Sequence, residues 1–123
     1  MMKEKLLFIC YPKCTTCQKA QKWLEHHGIA YELRNIKEQN PTAAELDEWR
    51  GKSQVPLRKF FNTSGMLYKS LALKDKLSVM SETEQMALLA TDGMLVKRPL
   101  VITDKKVLVG FKEAEWETLT MSN

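Results

Sequence analysis

The chain has few residues that interrupt regular structure: four prolines and five glycines in 123 positions. That scarcity excludes collagen-like and low-complexity architectures. Long apolar runs are missing as well. The run Leu6-Leu7-Phe8-Ile9-Cys10 falls far short of the roughly 20 residues a membrane helix needs, and is too short for a signal-peptide core. From Met1-Met2-Lys3-Glu4-Lys5 onward, these features imply a cytoplasmic protein with no membrane partner. Neither sign of charge dominates: nineteen basic and fifteen acidic side chains give a net charge of +4, spread over the whole length. Nucleic-acid binders gather charge on one face or helix, so no direct nucleic-acid contact is expected. Histidine is scarce, at two residues, and cysteine occurs three times. An odd number of cysteines in a reducing compartment argues against a structural disulfide framework and for reactive or metal-binding thiols.

What is present suits one globular domain, 1–123, of the α/β class. Apolar residues make up 44% and charged residues 28%. Leu6 to Cys10, ended by Tyr11-Pro12, reads as a buried strand. From Thr15 to His27 the residues Ala20, Trp23, Leu24 and His27 recur at helical spacing, and Gly28 stands where a left-handed C-cap belongs. Ile29 to Ile36 alternates and reads as a second strand, with Ile29, Tyr31 and Leu33 on its apolar side. Strand, helix and strand within some thirty residues form a βαβ unit with parallel strands. A helical insertion follows over about residues 41–93. Thr42-Ala43-Ala44-Glu45 and Ser81-Glu82-Thr83-Glu84 are capping boxes, and the first helix is expected to stop near Gly51. Pro56 to Phe61 reads as a helical turn and Met66 to Met80 as short helices. Leu100-Val101-Ile102 and Val107-Leu108-Val109 form a hairpin around Asp104-Lys105, and a last helix carries Trp116 and Leu119.

Cys14-Thr15-Thr16-Cys17 carries the chemistry. A helix N-terminus offers free amides and the positive end of its dipole, both of which stabilise a thiolate. Cys17 falls about one turn on, within reach of Cys14, and Lys13 and Lys19 add positive charge nearby. Cys14 attacks an oxidised sulfur on this reading, and Cys17 resolves the mixed disulfide. Two alternatives stay open. A zinc site needs four ligands, whereas one cysteine pair is present and His26-His27 lie three turns away. The pair is otherwise incidental. Cys10 reads as an inert buried thiol, and His26 and His27 as helix-end residues.

Two segments carry a resemblance. Tyr11-Pro12-Lys13-Cys14-Thr15-Thr16-Cys17-Gln18-Lys19-Ala20, with Trp23-Leu24 and Gly28-Ile29, resembles the opening of the ArsC-like family. Lys97-Arg98-Pro99-Leu100-Val101 resembles its second signature. That family includes glutaredoxin-coupled arsenate reductases and the Spx transcriptional regulators. The resemblance implies a thioredoxin-like four-stranded mixed sheet with a helical insertion, and a cis Pro99 facing the active cysteine. It further implies Cys14 as the catalytic cysteine and Arg58 and Arg98 as anion-binding arginines. No resident cofactor or metal is implied; glutathione or a glutaredoxin-like protein would supply electrons. The third arginine of the reductases is missing from Lys106-Val107-Leu108-Val109-Gly110-Phe111, and lysine cannot grip an anion with a bidentate fork. Cys17 instead resembles the second cysteine of the Spx redox switch. Those regulators bind the RNA polymerase α subunit, and Gly51 falls near a glycine used at that surface. The sequence therefore leaves a cytoplasmic thiol–disulfide oxidoreductase, a redox-sensing regulator and a scaffold without turnover.

Overall fold

The computed structural model describes residues 5–120. The segment Met1 to Glu4, read above for a leader, lies outside the described residues. Strand β1 (Leu6–Cys10) alternates its side chains between two apolar layers. Leu6, Phe8 and Cys10 face one layer, and Leu7 and Ile9 the other. Helix α1 (Thr15–His26) follows and buries Cys17, Ala20, Trp23 and Leu24 along one stripe. It ends as expected: Gly28 takes φ +66°, and the Ile29 amide donates to the Leu24 carbonyl at 3.0 Å. The His27 ring stacks on Trp23 at 3.9 Å.

Strand β2 (Tyr31–Asn35) runs parallel to β1. It is shorter than the sequence suggests, and Leu33, expected to point inward, is 52% exposed. The reason is position. β2 is the edge of the sheet, while α1 packs on Phe8 and Cys10 of β1 and lies near Val101 of the next strand in.

The helical block comprises α2 (Ala43–Ser53), α3 (Met66–Ser70), α4 (Leu73–Lys76) and α5 (Glu82–Leu89), with a 3-10 turn at Leu57–Phe60. Both capping boxes form, Thr42 with Glu45 and Ser81 with Glu84. The helix stops near Gly51, as expected, but Gly51 is not its terminator. α2 continues through Ser53, and Gln54 takes the left-handed conformation at φ 61°. Glycine inside a helix costs only about 1 kcal/mol, whereas the residue before a proline, here Val55 before Pro56, is pushed out of helical geometry. Gly93, in a 3-10 turn at Gly93–Leu95, sits where any Cβ would collide with the Ile36 carbonyl. That approach seats the end of the block against the end of β2.

Strands β3 (Leu100–Ile102) and β4 (Val107–Val109) form the hairpin, and β3 pairs antiparallel with β1. The strand order is β2-β1-β3-β4. Helix α6 (Glu113–Trp116) is shorter than expected and continues as a 3-10 turn through Thr120. Its Trp116 is fully buried, and the indole donates to the Gly110 carbonyl at 3.0 Å. The helical block covers one face of the sheet, and α1 with α6 covers the other. This mixed four-stranded α/β sheet is thioredoxin-like.

Candidate active site

The C-terminal end of β1 and the N-terminal end of α1 are joined by four residues, and the turn between them sets the site. The Cys14 amide donates to the Tyr11 carbonyl at 3.0 Å, and the Cys14 carbonyl accepts from Gln18 at 3.0 Å. Cys14 is thus the N-cap of α1, with extended backbone angles and no side-chain capping bond. Its sulfur is therefore not consumed by the cap and stands half-buried at the helix end. One turn on, Cys17 is 1% exposed, and its sulfur accepts the Tyr11 amide at 3.3 Å.

Cys10 joins this pair. Strand alternation turns it toward α1, where it is 3% exposed and meets Cys17 in the same apolar cluster. A hydrogen bond to the Cys10 sulfur and burial hold the Cys17 thiol far above its ordinary pKa, against the opposing pull of the Tyr11 amide. The same bond, donated by Cys17, draws the Cys10 pKa down, against burial and the nearby Cys14 charge. Cys17 is consequently the protonated partner. All three cysteines are free.

Cys14 opens onto a pocket of about 650 Å³ whose walls come from five places. Thr16 lies on α1, the segment from Asn62 into the start of α3 closes one side, Met94 lies in the 3-10 turn at Gly93–Leu95, Lys97 and Arg98 precede β3, and Val109 to Lys112 run on from the end of β4. Arg98 is half-buried, with its guanidinium 5.5 Å from the centre of the Tyr11 ring. One of its terminal nitrogens donates to the Val96 carbonyl at 3.2 Å, while its buried Nε has no partner among the described residues. The structure therefore brings Cys14, Cys17 and Arg98 together.

Pro99 is buried behind the pocket wall and does not line it; the Arg98–Pro99 bond is cis, and the Pro99 carbonyl accepts the Gly110 amide at 2.8 Å. Arg58 is elsewhere. It lies exposed on the 3-10 turn of the helical block and contributes nothing to the pocket wall. The turn buries Leu57 and Phe60 instead, which leaves Arg58 between them pointing outward. Lys106 is turned away as well, its ammonium donating to Thr118 at 3.0 Å.

Residues not singled out by the sequence supply the remaining polar lining: Lys97, Lys112, Asn62 and Ser64. Lys97 had a signal, since it adjoins Arg98-Pro99. Gly110, at φ +80°, leaves room for its stem: a Cβ there would come within 3.3 Å of Lys97 Cε. Lys112 and Asn62 sit in loops with no periodic pattern to mark them. Among the described residues no cluster of His, Cys, Asp and Glu is arranged to hold a metal, and no helix is long and apolar enough to cross a membrane.

A family model described as the ArsC family matches residues 10–119. The chain belongs to the ArsC family. Among solved structures it is similar to an ArsC-family-related protein from Bacteroides fragilis, with 58% identity and a TM-score of 0.93 over 94% of this chain and 98% of that one. It is also similar to a "possible arsenate reductase" from Streptococcus mutans UA159, with 42% identity and a TM-score of 0.87 over 97% and 100%. The uncharacterized protein YusI of Bacillus subtilis is 56% identical over 91% of this chain and 95% of its own length. The regulatory protein MgsR of the same organism is 29% identical over 93% and 89%. This ArsC-family member thus has both a possible arsenate reductase and a regulatory protein among its likenesses.

Proposed function

We propose that this ArsC-family chain is a cytoplasmic thiol–disulfide oxidoreductase, with Cys14 as nucleophile and Cys17 as resolving thiol. One observation carries the reading: a half-exposed Cys14 opens onto a pocket while Cys17, one helical turn on, lies buried in the cluster that Cys14 packs against. The Cys14 thiolate attacks one sulfur of a bound disulfide, forms a mixed disulfide and expels the other half as a thiolate. Cys17 then gives up its proton and attacks the Cys14 sulfur. The second half of the substrate departs, and the electron pair from the two cysteine thiols has passed to it. Glutathione or a glutaredoxin-like protein restores the dithiol, with no resident cofactor.

Arg98, supported by Lys97 and Lys112, orients the anionic part of the substrate, and the unpaired Nε of Arg98 supports that role. Arg58 lies outside the pocket, and the third reductase arginine is replaced. This cation set favours an extended carboxylate-bearing thiol over a small tetrahedral oxyanion that needs several forks converging on it.

Turnover of a glutathione mixed disulfide, with glutathione as reductant, tests the reading. Cys14→Ser should lower the rate by about 1,000-fold or more, the scale of removing a covalent nucleophile. Cys17→Ser should accumulate the Cys14–glutathione adduct, visible as added mass. Wild-type protein that turns over no disulfide with any thiol donor overturns the proposal.

A second reading has its own observation. Gly51 lies inside α2, exposed, with open space around it, so nothing within the chain requires glycine there. Such a position suits close approach by a partner, and MgsR is a regulatory protein. On this reading the cysteine pair sets affinity for the RNA polymerase α subunit. Binding to that subunit's C-terminal domain, lost in Gly51→Arg, would support it.

A further inference from the structure

Cys10 is not used by the two-thiol cycle, yet it shares one buried cluster with Cys17, and Cys14 packs against that cluster. Two periodicities bring it there. Cys10 follows Leu6 and Phe8 at strand spacing and faces α1, while Cys17 precedes Ala20 and Leu24 on the buried stripe of that helix. The amide that donates to the Cys17 sulfur belongs to Tyr11, the residue directly after Cys10. Cys17 therefore lies over the Cys10–Tyr11 peptide unit, in the same buried cluster as Cys10, and the half-buried Cys14 packs against that cluster. A filler thiol packs against carbon. This one shares a buried cluster with the sulfur that the cycle leaves oxidised.

We propose that Cys10 is a third redox thiol, which takes Cys17 from the Cys14–Cys17 disulfide and sets Cys14 free. The inference rests on the dithiol reading above. In the step, the Cys10 sulfur attacks the Cys17 sulfur and the Cys10–Cys17 bond forms. The Cys17–Cys14 bond breaks, and its electron pair leaves on the Cys14 sulfur. The proton lost by Cys10 is matched by the one Cys14 takes up on returning to a thiol. One disulfide is exchanged for another, so no external oxidant or reductant is consumed.

The product differs from the starting disulfide in access. Cys10 and Cys17 are 3% and 1% exposed, so their bond is shielded from external thiols, while Cys14 stands again at the pocket. The protein then stores an oxidised pair and keeps a working nucleophile. Reduction requires the reverse exchange through Cys14, which makes the buried disulfide a reservoir opened only by the exposed cysteine.

Tryptic cleavage separates the two disulfides cleanly. Cleavage after Lys5, Lys13 and Lys19 puts Cys10 in the peptide Leu6–Lys13, and Cys14 with Cys17 in Cys14–Lys19. The full-length protein is oxidised with glutathione disulfide, quenched in acid, alkylated with N-ethylmaleimide and mapped without reduction. The expected result is a linked pair of these two peptides with the alkyl group on Cys14, and loss of that pair in Cys10→Ala, whose oxidised form keeps only the Cys14–Cys17 disulfide. An oxidised wild type with the Cys14–Cys17 bond alone, and Cys10 always alkylated, overturns the third-thiol proposal and leaves the dithiol reading standing. Wild type with neither disulfide overturns both.

Discussion

The two faces of the sheet are built from different interactions. On the helical-block side lie the ion pairs found among the described residues: Arg34–Glu45 ties β2 to α2 and Arg50–Glu82 ties α2 to α5, while Arg50–Asp47 and Lys52–Glu48 lie within α2. On the α1 and α6 side there is none among the described residues, and aromatic edges meet instead. Trp116 takes Phe8, Trp23 and Phe111 in edge-on contacts at 6.2, 5.7 and 4.8 Å. The sulfurs sit on this second face. The Cys10 hydrogen bond, together with burial in this apolar wall, pushes the Cys17 thiol up, while Cys14 stands half-buried at the open rim. The block face positions the pocket, and the aromatic face sets the chemistry.

The largest effect should come from breaking the block face where it meets the sheet. Gly93→Ala places a Cβ against the Ile36 carbonyl, a backbone atom that cannot rotate away. The expected loss is about 3 kcal/mol or more, the upper range for overpacking. A urea melt should show a lower midpoint with an unchanged slope. If the faces form one cooperative unit, alkylation of buried Cys17 will follow the same midpoint as tryptophan fluorescence. Cys17 exposure that stays at the wild-type midpoint would mean the faces unfold separately.

A smaller effect is expected at the rim, where both faces contribute to the pocket. Arg98→Lys keeps a charge but loses the planar fork and the packing over Tyr11. Disulfide turnover should fall about tenfold, equivalent to about 1.4 kcal/mol of transition-state stabilisation, through KM more than kcat. Arg58→Lys, on the exposed outer side of the block, should stay within about twofold of wild type. Equal losses in the two variants would return Arg58 to the site.

How much of this could be read from the sequence depended on the range of the interaction. β1, α1, both capping boxes and the hairpin are written in local periods and caps, and they were legible. Gly51 and Gln54 were not: glycine is the usual helix terminator, yet Val55-Pro56 fixes the end, and Gln54 carries the left-handed angle. The Gly93 contact joins it to Ile36, far away in the chain, and no local pattern encodes it. Within the site, the Cys14–Cys17 spacing and Arg98-Pro99 were legible as motifs. Arg58 was assigned by motif as well, but the facing of a 3-10 turn is decided by what Leu57 and Phe60 bury. Cys10 shows the opposite case. Its strand period pointed it at α1 all along, and only the neighbouring stripe on that helix reveals that a sulfur awaits it.

The smallest predicted effect tests whether charge really matters on one face alone. Arg34 on β2 donates two bonds to the Glu45 carboxylate, at 2.8 and 2.9 Å, and others to the Gln39 and Asn40 carbonyls. Its bonds, together with the Thr42 amide, hold the Glu45 carboxyl below the ordinary carboxylate range. A depressed folded-state pKa means the unfolded chain binds the proton more readily. Glu45 therefore contributes stability that is fully present above its unfolded pKa and lost as pH falls through the folded value. With a third of the side chain exposed, the contribution is about 1 kcal/mol at neutral pH after allowance for solvent. Glu45→Gln should remove it and flatten the acid limb of a stability–pH curve, converging with wild type once the Glu45 carboxyl is protonated in both the folded and the unfolded wild-type chain. Trp23→Phe on the aromatic face should shift the whole curve down with its acid limb unchanged. If that limb flattens too, charge is coupled across the sheet, and the division between a block held by ions and a wall of aromatics fails.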